Sequence, residues 1–269
     1  MNDILQKVRL AAIGDLHCSR STQGRLRTTL AWVNEHADVL ILCGDLTDRG
    51  TVEETRILVK ELFPAVKIPI VGVLGNHDYE AGSQDEVFKI LRGHGVQLLD
   101  GDTCEIRGVG FCGVKGFGGG FGQYALSSHG RTGPQTVRAF SDRGGSEVGE
   151  WSVAITHALA DCRLALCADC THGVWRASEI YPFLGSSRLE EPLTRIPVTL
   201  ALHGHAHRGI AEGATSNGVP VFNVAVPVLR KYFPDQPPVR ILQVDADESN
   251  ELPEPSNVEP NMPHVASHT

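Results

Sequence analysis

No apolar run in the 269 residues approaches the roughly 20 needed to cross a bilayer, so the sequence offers no membrane-spanning helix. The opening residues, Met1 to Lys7, lack a signal-peptide hydrophobic region, and a cytoplasmic location is expected. Basic charge is scarce: 24 Lys and Arg stand against 32 Asp and Glu, for a formal net charge of -8. That balance argues against a general binder of nucleic-acid polymers or of anionic membranes. After Arg240 there is no Lys or Arg, while Asp247, Glu248, Glu251, Glu254 and Glu259 accumulate. Residues 247–269 are therefore expected to form an acidic, disordered tail behind a single domain at 1–246. No internal repeat is present, which excludes a solenoid.

With no export signal, the seven cysteines read as reduced thiols rather than a disulfide framework. Cys162, Cys167 and Cys170 have a spacing similar to plant-type iron–sulfur ligation. A fourth thiolate would have to come from Cys104 or Cys112, which have no supporting context. A cysteine-based redox protein is thus the weakest of the functional readings.

What the chain does have is a series of short apolar runs that stop on glycine and deliver polar residues. Leu10 to Ile13 leads into Asp15 and His17. Val39 to Cys43 leads into Asp45, Asp48 and Arg49. Val71 to Leu74 leads into Gly75, Asn76, His77 and Asp78. Val198 to Leu202 leads into His203, His205 and His207. Such runs predict buried strands opening into loops. Between them, Ser21 to His36 predicts a helix, with Leu26, Leu30 and Val33 on one face. Thr51 with Glu54 forms a capping box for a helix to about Phe63. Asp85 to Gly93 predicts a third helix. The alternation implies parallel strands with right-handed crossovers. Val96 to Leu99, Thr103 to Ile106 and Val109 to Val114 then predict a meander of short strands. Trp151 to Thr156, Val219 to Val224 and Val239 to Val244 predict further strands.

Open α/β folds place their sites at the carboxyl ends of strands, so these carboxylates, imidazoles and one amide should converge. Carboxylate and imidazole ligands suit Mn, Fe or Zn, with Mg favouring the oxygens. In an extended backbone Asp15 and His17, two residues apart, would project to one side and grip one ion.

Asp-x-His, Gly-Asp-x-x-Asp-Arg, Gly-Asn-His-Asp and Gly-His-x-His, in this order from Ile13 to His207, resemble the calcineurin-like metallophosphoesterase superfamily. The resemblance implies an α/β sandwich of two mixed β-sheets flanked by helices. It implies two divalent ions (Mn, Fe, Zn or Mg), with Asp15, His17, Asp45 and His207 on the first. Asp45, as bridging ligand, Asn76, His157 and His205 would hold the second. The implied activity is hydrolysis of a small-molecule phosphate ester, mono- or diester, by a metal-bridging hydroxide. His77 would serve the leaving group, with Asp48 as the carboxylate that orients it. Asn76, His77 and Arg49 would line the phosphate; for Arg49 the alternative is tying its loop. The rival reading within the fold is a catalytically silent scaffold.

Other features keep two readings. Asp78 reads as a helix cap, and His203 as support or packing. The Gly116 to Gly122 stretch reads as a surface loop or a substrate-side flap. Phe117, Phe121 and Tyr124 would stack on a base or anchor that loop. After His157, residues 158–170 depart from the proline- or aromatic-containing pattern that the family shows there.

Overall fold

The first sheet is built from strands that are apolar on both faces, and the side-chain alternation of each strand divides them between two cores. In β1 (Lys7–Ile13) and β2 (Val39–Cys43), Leu10, Ala12, Val39 and Ile41 face one way, while Ala11, Ile13, Leu40 and Leu42 face the other. The second set packs under α1 (Arg27–His36), α2 (Val52–Ala65) and α3 (Gln84–Gly93), through Leu30, Val33, Leu58, Leu62, Val87 and Leu91. The first set meets Val109, Phe111, Leu200 and Leu202 of a second sheet. This computed structural model describes residues 6–115, 152–156, 193 and 197–246.

The first sheet is completed by β3 (Ile70–Val73), β4 (Val96–Leu98) and β11 (Arg240–Asp245), in the order β11-β1-β2-β3-β4. Only β11 runs antiparallel. The second contains β5 (Asp102–Ile106), β6 (Val109–Val114), β7 (Ser152–Thr156), β8 (Leu200–His203), β9 (Glu212–Ala214) and β10 (Pro220–Asn223). Its order is β5-β6-β7-β8-β10-β9, with parallel pairing in the middle and antiparallel pairing at both ends. The expected sandwich of two mixed sheets with flanking helices is the fold of the chain.

Several expectations need correction. The meander does not form: β4 pairs parallel with β3, and β5 and β6 make a hairpin in the other sheet. The chain changes sheet within two residues, since Leu99 N donates to Gly72 O and Gly101 N to Gly113 O. Gly101, at φ 82°, supplies the turn. The first helix starts later than expected because Ser19 and Thr22 cap a separate 3-10 turn, Arg20–Thr22. The second continues through Pro64 to Ala65: Pro64 has no N–H to give to Lys60 O, but Val66 N still closes the last turn on Leu62 O. Strand β9 and helix α4 (Val226–Tyr232) were not expected from sequence; each is short and lacks a clear period. The Gly116 to Gly122 loop, its aromatic residues, His157, residues 158–170 and the 247–269 tail lie outside the described residues.

Candidate metal centre

The two sheets are stitched together where their parallel strands end. The segment after β10 passes between them: Gly14 N donates to Val224 O at 2.8 Å, and Val224 N to His203 O at 2.7 Å. Gly14 and Ala225 form an isolated bridge there. The ends of β1 and β8 are thus held side by side. That closeness explains Gly204, where any Cβ would collide with the Asp15 carboxylate. Gly75 is constrained in the same way by the Asp45 carboxylate.

Beyond the strands the loops after β1 and β2 remain laced together. Asp15 N donates to Gly44 O, His17 N to Asp45 O, and Cys18 N to Leu46 O, each at 3.0 Å. This lacing overturns the extended Asp15-x-His17 geometry expected from sequence. Asp15 and His17 have φ of 57° and 42°, so it is left-handed backbone that turns both side chains inward. Asp45 at 47° and His205 at 65° do the same. Only one other described non-glycine residue, Arg107, has positive φ. Strained backbone of this kind collects at functional sites, where the surrounding hydrogen bonds over-determine it.

Two side-chain groups result. Ligand atoms of Asp15, His17 and His207 all lie within 4.8 Å of one another, as do those of His17, Asp48 and His77. Asp15 is buried; its carboxylate accepts from His205 N at 2.9 and 3.1 Å and lies 2.7 Å from His207 Nε2. Asp45, also buried, accepts from His77 N through Oδ1 at 2.8 Å, and its Oδ2 is 3.9 Å from His17 Nε2. Its carboxylate therefore lies between the His17 ring and the Asn76–His77 loop. The His17 ring stands edge-on to those of His77 and His207, with centroids 4.6 and 5.6 Å away.

These groups fit a divalent cation. Among the described residues His17 Nε2 is buried and has no hydrogen-bond partner, an arrangement that costs free energy unless a metal takes the nitrogen lone pair. Burial lowers the His17 pKa, opposed by the nearby Asp45 and Asp15 charges. The neutral imidazole it favours is the metal-binding form.

His77 differs. Its Nδ1 is 2.7 Å from the main-chain O of Asp48. A carbonyl only accepts, so Nδ1 carries the proton and Nε2 is the nitrogen left to act on a ligand. The expected carboxylate contact from Asp48 is absent from this pair: Asp48 Oδ1 lies 3.6 Å from His17 Nδ1 instead. Glu80 Oε1 is the carboxylate beside His77 Nδ1, at 3.3 Å. Arg49 is exposed, and its guanidinium has no ion pair among the described residues; its main chain ties the loop through Glu54 and Ala81. Asn76 is half-buried at the start of the 3-10 turn His77–Tyr79.

Two residues behind the site escaped the sequence reading. Asp78 is not a helix cap: it lies inside that turn, fully buried, with its carboxylate accepting from the loop after β2. Burial raises its pKa, and hydrogen bonds from Thr47, Gly75 and Leu46 oppose the rise. Asn223, 3% exposed, donates from Nδ2 to Ala206 O at 2.9 Å and accepts from Ala225 N, fixing the loop between His205 and His207. A lone Asn at the end of a strand carries no sequence signal for that role. His203 is buried, with Nδ1 2.9 Å from Gly204 O.

The fold and the two candidate ligand groups agree with a metal-dependent phosphoesterase. Residues 8–209 match the family described as calcineurin-like phosphoesterase, and the chain belongs to that family. Among solved structures it is similar to the phosphopantetheinyl hydrolase PptH from Mycobacterium tuberculosis, at 15% identity and a TM-score of 0.58, covering 91% of this chain and 96% of that one. It is also similar to TT1561 of Thermus thermophilus, at 13% identity and a TM-score of 0.52, over 89% and 99% of the two chains. GAP50, the anchor in the inner membrane complex of Plasmodium, shares 12% identity at a TM-score of 0.50, over 83% and 73%. At these identities the likeness is one of fold. No curated protein matches the chain.

Proposed function

We propose that the chain hydrolyses small-molecule phosphate esters with two divalent metal ions. Family membership supports metal-dependent phosphoester chemistry as the class. The observation that carries the two-ion reading is the place of Asp45, whose carboxylate lies between His17 on one side and the Asn76–His77 loop on the other. Asp15, His17, Asp45 and His207 would hold one ion; Asp45, Asn76, His157 and His205 would hold the other. Bound there, the ions would supply Lewis-acid stabilisation of the phosphoryl oxygens and a water acidified to a pKa of about 7.

The chain's own contribution is position and protons. Left-handed backbone at Asp15, His17, Asp45 and His205 aims the donors before any ligand arrives. His77, its Nδ1–H held by the Asp48 carbonyl, would in its doubly protonated form present Nε2–H to the leaving-group oxygen and give up that proton as the ester bond breaks, leaving the neutral Nδ1–H ring. Arg49, exposed on the adjoining loop, would contact the phosphate. No membrane-length apolar helix occurs among the described residues.

The rival is a scaffold that keeps the fold without turnover, and GAP50 shows that a protein of this fold can serve as an anchor. Purified protein reconstituted with Mn, Fe, Zn or Mg, then offered bis-aryl, monoaryl and cyclic-nucleotide phosphates, separates the two. Turnover that follows ion occupancy supports hydrolysis. Two bound ions with no turnover on any ester favours the scaffold, and no bound ion defeats the two-ion reading.

A further inference from the structure

The fully buried carboxylate of Asp78 takes no part in the chemistry just described, yet it occupies the crossing of two ligand-bearing loops. Oδ1 accepts from Thr47 N at 2.8 Å and Thr47 Oγ1 at 2.6 Å; Oδ2 accepts from Gly75 N at 2.8 Å and Leu46 N at 3.1 Å. These four donors fill the roughly four lone-pair sites of a carboxylate. Leu46 directly follows Asp45, and Gly75 directly precedes Asn76. Thr47 Oγ1 also accepts from Gly50 N at 3.1 Å, and at Gly50 any Cβ would collide with the main chain of Asp78. The loop that supplies Asp45 and the Asp48 carbonyl thus closes around the turn that supplies Asn76 and His77.

We propose that Asp78 is a positioning residue, which sets the register of the 45–50 loop against the 75–80 turn and thereby the distance between Asp45, Asn76 and His77. The proposal rests on the two-ion reading of the site. A carboxylate suits this place because every partner is a donor; an amide would set its own N–H groups against some of them. Outer partners of this kind typically alter metal affinity by 10–100-fold when removed.

The test compares the full chain with Asp78→Asn, Thr47→Val and, as a control for simple destabilisation, the helix-cap variant Thr51→Ala. Thr47→Val keeps the side-chain shape and both main-chain donors, so it decides the matter if Asp78→Asn does not fold. Mn2+ binding is titrated calorimetrically well below each melting temperature, and kcat and KM are measured on an aryl phosphate. Thr47→Val is expected to weaken the weaker of the two ions by about 10-fold and to lower kcat more than it raises KM. Thr51→Ala is expected to lower the melting temperature and leave Mn2+ affinity alone. Unchanged Mn2+ affinity in Thr47→Val beside a lowered melting temperature would show Asp78 to be purely structural. A wild type that binds two Mn2+ without turnover overturns the hydrolase reading and leaves the Asp78 result standing; one that binds none overturns both.

Discussion

His207 Nε2 lies 2.7 Å from Asp15 Oδ1, although 192 residues separate them in the chain. Asp15 follows β1 in the first sheet and His207 follows β8 in the second, so the contact spans the join of the sandwich. An ion held by both residues would brace that join. Ligand at about 100 times Kd stabilises a folded protein by roughly 2.7 kcal/mol. For a chain of this size that corresponds to a rise of roughly 5–10 °C in melting temperature. Metal-loaded protein is therefore expected to lose about that much on EDTA treatment, and Asp15→Ala to lose most of the EDTA response. A melting curve indifferent to EDTA in the wild type would count against an ion at the join.

Thr51 and Glu54 make a reciprocal cap at the start of α2. Glu54 N donates to Thr51 Oγ1 at 3.3 Å, and Glu54 Oε2 accepts from Thr51 N at 3.2 Å and from Arg49 N at 3.0 Å. Thr51→Ala should cost about 1 kcal/mol, measurable by urea unfolding. A change within error of zero would mean that water replaces the hydroxyl at no cost.

That cap could be read from sequence because both partners lie within one turn. The central strands could be read too, since each is an apolar run that stops on glycine, and their polar followers converge as strand ends must. What could not be read are features set by partners far along the chain. The left-handed backbone at Asp15 and His17 is imposed by hydrogen bonds to Gly44 and Asp45, and the role of Asp78 by Leu46 and Thr47. In sequence, Asp78 has the form of a helix cap. The move from β4 to β5 between sheets also has no local mark, because a glycine turn serves a hairpin equally well.

Arg9 and Asp38 form a two-point pair: Arg9 Nη2 lies 2.9 Å from Asp38 Oδ1 and Nε 3.1 Å from Oδ2. The Arg9 side chain holds the Asp38 carboxyl below its ordinary 3.8, helped by the Arg9 main-chain N–H. A folded-state pKa below the unfolded one adds stability above the unfolded value, and that stability is lost as pH falls through the folded value. Both side chains are partly solvated, so the contribution should be small. Asp38→Asn is expected to be less stable than wild type at about pH 7 and indistinguishable at about pH 2. Equal gaps at both pH values would show that packing, not charge, accounts for the difference.

His77 is separated from its neighbours by what its ring touches. Asp15 and Asp45 each approach His17, while His77 Nδ1 is taken by the Asp48 carbonyl and Nε2 remains for a ligand. His77→Ala is therefore expected to keep both ions and to slow turnover, by the 10²–10⁴-fold typical of a lost general acid. The loss should depend on the leaving group: an alkoxide needs the proton, whereas p-nitrophenolate departs without it. Asp48→Asn gives the sharper contrast. It leaves the main-chain carbonyl that holds His77 in place, and alters the carboxylate 3.6 Å from His17 Nδ1. It should change ion affinity while preserving the wild-type dependence on leaving group. Rates across aryl and alkyl phosphate esters, with metal content measured on the same samples, separate the two residues. If His77→Ala loses an ion, or slows every ester equally, His77 is a ligand or a phosphate binder; if Asp48→Asn reproduces the leaving-group pattern of His77→Ala, its carboxylate, not its carbonyl, orients the ring.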